Sequence, residues 1–178
     1  FGTWTLSNSE TSSGRYIGET GLGFDTFGLY SDNSGNFSAA ERNLISDLKM
    51  GEKISVDVGH TATINGEIFL QLLNDGVVVF TLKFVGGTSD WQINDGGSDF
   101  AIGQSYSANT SLSFTFTYNE DGTYSYTFGD ASGNNFTAAS AISSINSIKF
   151  QSSNQGAGQN YGVNNLAINS KYTIANNT

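Results

Sequence analysis

The chain has no cysteine and no proline, one histidine, one methionine and only seven Lys and Arg among 178 residues. Each shortage excludes something. Without cysteine there is no disulfide framework and no thiol nucleophile. A serine triad would have to centre on the single histidine, His60, in Gly59-His60-Thr61-Ala62. Zinc is disfavoured by the same count, since its sites draw on several Cys and His. Against 16 Asp and Glu the seven cations leave a net charge of −9, and they stand singly, so no basic stripe exists to neutralise phosphates. Nucleic acid and anionic membranes are therefore poor partners. No apolar run approaches the roughly 18 to 20 residues of a membrane helix. Charged residues make up 13% of the chain and aromatics another 13%, a balance that neither a disordered segment nor a coiled coil would have.

What is there is a chain dominated by Ser, Thr, Asn and Gly and studded with rings, a composition that reads as secreted and β-rich. Its length suits one domain, able to bury about 70% of its unfolded surface without a metal or disulfide. Residues 1–168 are expected to form that domain and residues 169–178 a polar tail or linker stub. The first residue is Phe1, so the expectation is a mature or excised extracellular domain whose export signal has been removed.

Apolar residues recur with period two and Gly or Asn punctuates the chain, which favours strands. In the segment from Glu67 to Phe84, the residues Ile68, Leu70 and Leu72 share a face with Val78, Phe80, Leu82 and Phe84. Pairing Leu72 with Val78 leaves a three-residue loop, Asn74-Asp75-Gly76, with glycine at the left-handed position. The same arithmetic sets Phe114, Phe116 and Tyr118 opposite Phe128, Tyr126 and Tyr124 across Glu120-Asp121-Gly122. Further strands are expected near residues 4–8, 24–30, 54–58, 90–93, 134–138, 147–151 and 163–168, about ten or eleven in all. One helical turn over 39–47, lined by Ala40, Leu44 and Leu48, competes with a loop there. Many short antiparallel strands with one buried face predict an all-β fold, a two-sheet antiparallel β-sandwich or jelly roll.

Candidate chemistry is sparse. Glycosidases on sandwiches need only two carboxylates on one face. Glu67 stands on the polar face with Phe69, Gln71, Thr81 and Lys83, directly across from Lys83 in the register above, where a surface ion pair is the plain alternative. Asp57 also points away from the core and could share that face. For calcium, Asp90, Asp95 and Asp99, with Asn94, surround Gly96-Gly97 and offer hard oxygen ligands, although exposed turns use the same residues. Sugars stack on rings and hydrogen-bond to amides and carboxylates. Trp91, Tyr106, Tyr161, Tyr30 and Tyr16 lie outside the obvious core pattern, and for Trp91 platform and core packing are equal readings. The ligand-binding set is thus Trp91, Asn94, Tyr106, Tyr161, Glu67, Gln71 and Lys83.

Trp4-Thr5-Leu6-Ser7, Phe27-Gly28-Leu29-Tyr30, Ile54-Ser55-Val56-Asp57, Phe84-Val85-Gly86-Gly87, Ile93-Asn94-Asp95 and Tyr161-Gly162-Val163-Asn164-Asn165-Leu166-Ala167-Ile168 occur in that order. Together they resemble the jelly-roll modules, similar to concanavalin-type and laminin-G-type sandwiches, that are appended to large extracellular bacterial proteins. The resemblance implies a noncatalytic carbohydrate-binding module, usually fused to a glycan-degrading enzyme domain, binding polysaccharide and sometimes holding a structural calcium; a monomer is expected. A small glycoside hydrolase or polysaccharide lyase on the same fold, and an adhesin or spacer domain, are the competing readings.

Overall fold

The alternation of apolar and polar residues is realised as fourteen strands in a computed structural model, which describes residues 3–19, 22–23, 25–32, 35–61, 65–138, 142 and 144–169. In chain order they are β1 (Trp4–Asn8), β2 (Ser13–Glu19), β3 (Asp25–Ser31), β4 (Phe37–Asn43), β5 (Lys53–His60), β6 (Glu67–Asn74), β7 (Val77–Val85), β8 (Asp90–Asn94), β9 (Phe100–Ser105), β10 (Thr110–Tyr118), β11 (Tyr124–Phe128), β12 (Ala131–Phe136), β13 (Ser147–Ser153) and β14 (Asn160–Asn169). They form two seven-stranded antiparallel sheets. The first runs β1-β4-β13-β6-β7-β8-β9 and the second β12-β11-β10-β5-β14-β3-β2. The all-β sandwich read from the sequence is the fold. No helix among the described residues is long and apolar enough to cross a membrane.

Inward residues of the two sheets meet in one core. Ile68, Leu70, Leu72, Phe80, Leu82 and Phe84 come from the first sheet, and Ile54, Val56, Phe114, Phe116, Tyr124 and Phe128 from the second. At its centre the Phe80 ring lies 5.0 Å from Phe116, 5.5 Å from Tyr124 and 5.9 Å from Phe114. Edge-on and offset pairs of this kind add roughly 0.5–1.5 kcal/mol each beyond the area they bury.

Four differences from the sequence expectation have physical causes. In the β6–β7 hairpin, Asp75 (φ 49°) and Gly76 (φ 79°) are both left-handed, which makes a two-residue turn of the primed type. The extra residue goes into a bulge, so that Leu72 pairs with Phe80 and Leu73 with Val78. The shift is even, so the core set survives, but Val78 is left 40% exposed. Lys83 now faces Phe69, and Glu67 faces Val85 instead of Lys83. Second, residues 39–43 extend β4 rather than start a helix, because Ala39 and Ala40 pair with Gln151 and Phe150 of β13. Leu44 and Leu48 follow as buried loop residues tied by their N–H groups to the carbonyls of Asn146 and Ile145. Third, β2, β4 and β9 lie outside the expected strands. Gly14, Gly18, Gly103 and the alanines lower intrinsic strand preference, which cross-strand neighbours override. Fourth, Asn169 belongs to β14, opposite Lys53; Phe24 of the strand expected over 24–30, and residues 170–178 of the expected tail, lie outside the described residues. The β10–β11 hairpin keeps its expected register, with Gly122 left-handed at φ 80°.

Candidate functional site

Most residues singled out in the sequence are committed elsewhere. Trp91 is 3% exposed, with Phe128 edge-on at 4.8 Å and Phe84 at 5.7 Å, so it takes the core reading and offers no open ring face. Tyr161 is fully buried beside Phe150. Tyr106 stacks on Phe84 at 4.2 Å and its hydroxyl lies 3.2 Å from His60 Nδ1, which closes one end of the sandwich. Burial pushes His60 down to about 3, against a weaker opposing hydrogen bond with Gln155. It is a neutral, structural imidazole.

On the outer face of the first sheet, Lys83 Nζ pairs with Asp99 Oδ2 at 2.6 Å, and Asn94 Nδ2 donates to Asp99 Oδ1 at 2.9 Å. The Lys83 hydrogen bond and then that of Asn94 hold Asp99 below the usual carboxylate range. Gln71 Nε2 reaches Thr81 Oγ1. Asp57 stands on the second sheet, so it cannot share a face with Glu67, and that pair of carboxylates is dissolved by the topology. The calcium set disperses too. Asp95 is buried and accepts from Tyr124 Oη at 2.8 Å, Asp90 accepts from Ser105 Oγ at 3.0 Å, and Asp99 is held by Lys83. No group of three or more His, Cys, Asp or Glu able to hold a metal occurs among the described residues.

The outer face of the second sheet is different. There Tyr16 pairs across with Gly28, Gly28 with Gly162, Gly162 with Gly59, and Gly59 with Ser111, one row spanning β2, β3, β14, β5 and β10. Three successive glycines leave this row without side chains. Rings and one aliphatic side chain occupy the space. A Cβ on Gly28 would lie 2.6 Å from Tyr16 Cζ, one on Gly14 2.8 Å from Tyr30 Oη, and one on Gly59 2.7 Å from a Leu22 methyl. Tyr16 and Tyr30 are half-buried, 6.4 Å apart and tilted by 43°. Burial and, secondarily, the Glu19 charge raise the Tyr16 phenol.

One row along from the glycines on the same face, Ser113 stands opposite Asp57 and Asp57 opposite Asn164. Asp57 Oδ1 accepts from Ser113 Oγ at 2.5 Å and Oδ2 from Asn165 Nδ2 at 2.6 Å. Asn165 is left-handed (φ 52°) in a break of the β14–β5 register between Asn164 and Ala167, and its N–H donates to Asn164 Oδ1 at 2.8 Å. Bulges of this kind re-aim side chains at functional edges. The face thus combines two partly open rings with a fixed carboxylate and two amides. Tyr16 and Tyr30 were legible as aromatics outside the core, but their joint position was not. The signal is the flanking glycine at alternate positions, Gly14-x-Tyr16-x-Gly18 and Gly28-x-Tyr30.

No protein-family model matches the chain, and no curated protein matches its sequence. Solved structures resemble it in fold. A sialidase superposes with a TM-score of 0.74 at 11% identity, covering 94% of this chain and 17% of its own. The T. cruzi calreticulin globular domain follows at 0.65, 11% identity, 95% of this chain and 84% of that one. The toad ovary galectin, in complex with thio-digalactose, aligns at 0.53 with 12% identity, over 74% of this chain and 98% of its own. The fold these structures share with the chain is a jelly-roll β-sandwich. The chain spans only 17% of the sialidase's length. At such identities the likeness concerns architecture, not chemistry.

Proposed function

We propose that this domain is a noncatalytic carbohydrate-binding module of a secreted protein, and that it holds neutral polysaccharide on the outer face of the second sheet. One observation carries the reading: Tyr16 and Tyr30 lie over Gly28 and Gly14 on the same sheet face as the hydrogen-bonded Asp57, Asn164 and Asn165. The C–H face of a pyranose packs on such rings while amides and a carboxylate take its hydroxyls. A carboxylate on the face and a net charge of −9 disfavour polyanionic chains. The galectin complexed with thio-digalactose supports a sugar ligand for this fold. That the chain matches 17% of a sialidase supports a module fused to a larger, glycan-active chain. The hydrolase reading loses its paired carboxylates, since Glu67 and Asp57 face opposite ways.

Affinity electrophoresis against neutral and acidic polysaccharides, with each lane assayed for new reducing ends, tests this. Retardation by a neutral polymer without product is expected, weakened roughly tenfold by Tyr16→Ala and by Tyr30→Ala, a factor of ten being about 1.4 kcal/mol. Unchanged retardation in both variants would remove this face as the site, and product release would restore the enzyme reading.

A further inference from the structure

The two lateral sides of the sandwich are closed differently. Where β9 and β12 form the sheet edges, Phe100 and Phe136 stack across the opening with ring centres 6.4 Å apart. Where β1 and β2 form them, Trp4 stacks on Phe27 at 5.6 Å, yet Ile17 remains 74% exposed and Leu6 38%. Both are core-facing by register, since Ile17 pairs with Phe27 and Leu6 with the buried Ala40. An inward-facing isoleucine this exposed marks a side left uncovered by the described residues. Beside it runs the unpaired edge of β2, a seven-residue strand. Free edges of that length are templates for another strand.

The sequence of that edge specifies the partner. In Ser13-Gly14-Arg15-Tyr16-Ile17-Gly18-Glu19, opposite charges stand two residues either side of Ile17. We infer that β2 pairs antiparallel with β2 of a second copy about a two-fold axis through Ile17. That register sets Ile17 against Ile17, Arg15 against Glu19 in both directions, and Tyr16 against Gly18. All three pairings follow from a single choice of axis, and each residue faces its counterpart from the same side of the sheet. Arg15 and Glu19 are both exposed. Among the described residues Arg15 makes a 3.5 Å contact to Asn8 Oδ1, and Glu19 Oε1 accepts from the Gly23 N–H at 2.9 Å. The contact joins the two second sheets into one of fourteen strands and covers Ile17. It makes the protein a dimer, against the monomer expected from sequence alone, and does not depend on what the tyrosines bind.

Charge reversal separates this from other arrangements. Sedimentation velocity of the intact chain over a wide concentration range should show reversible dimerisation. Arg15→Glu alone and Glu19→Arg alone should each weaken it at least roughly tenfold, because each places two like-charged pairs at the interface. The double variant Arg15→Glu/Glu19→Arg should dimerise again, and so should an equimolar mixture of the two single variants, as a heterodimer. Melting curves of the single variants should match the parent's monomer, since both sites are exposed. A parent chain that sediments as a monomer throughout would overturn the inference and make these charges a guard against edge pairing. A dimer indifferent to the single reversals, or a mixture that fails to associate, would overturn it equally.

Discussion

Tyr161 shows how burial and hydrogen bonding part company at a single residue. Its ring packs in the core, but its hydroxyl is buried with no hydrogen-bond partner among the described residues. A buried hydroxyl without a partner costs about 1–3 kcal/mol, and phenylalanine keeps the ring while removing the cost. Tyr161→Phe should therefore raise stability by roughly 1 kcal/mol, a melting temperature about 2–4 °C higher for a chain of this size. A lower melting temperature in a thermal scan would show that the hydroxyl has a hidden partner. The fate of the candidate rings was partly readable. Trp91-x-Ile93 and Tyr161-x-Val163 put their rings on the side of an aliphatic neighbour, and both went inward. Gly14-x-Tyr16 and Gly28-x-Tyr30 put theirs among glycines, and both went outward.

Between elements, legibility falls with separation in sequence. The β10–β11 register follows from one turn with glycine at its left-handed position, and it was readable. The β6–β7 hairpin departs from its expected register by one bulge, which sets Lys83 opposite Phe69 instead of Glu67. The glycine row was not readable at all, because Gly28 meets Gly162 only when β14 enters between β3 and β5. That row carries its own prediction. Gly28 does not have a positive φ, so its backbone accepts alanine, but the new methyl would occupy the Tyr16 ring position. Gly28→Ala should weaken polysaccharide retardation about as much as Tyr16→Ala, roughly tenfold, while leaving the far-UV circular dichroism of the sheet unchanged. Full binding by Gly28→Ala would mean that the ring's position over the glycine is irrelevant.

For the molecule as a whole, His60 sets a dependence of stability on pH. An unperturbed histidine takes a proton near 6.5, whereas burial holds His60 at about 3 in the folded protein. Between those values the unfolded chain binds more protons, so stability is greatest above pH 6.5 and falls as pH is lowered towards 3. The slope approaches about 1.4 kcal/mol per pH unit. Asp99, held below the usual carboxylate range, adds loss of the same sign lower in the window. Urea unfolding at several pH values should give a slope between pH 6 and 4 that is smaller in His60→Gln than in the parent; equal slopes would show that His60 is not the group responsible. The sheet order has a further consequence, for assembly in time. Among the described strands the last two in chain order are interior ones: β13 lies between β4 and β6, and β14 between β5 and β3. Until residues 147–169 have left the ribosome, both sheets are split in two, with four strand edges bare and no closed core. Both sheets are thus completed only when β13 and β14 take their places, an order of closure that favours one concerted step over gradual growth from the first residues onward.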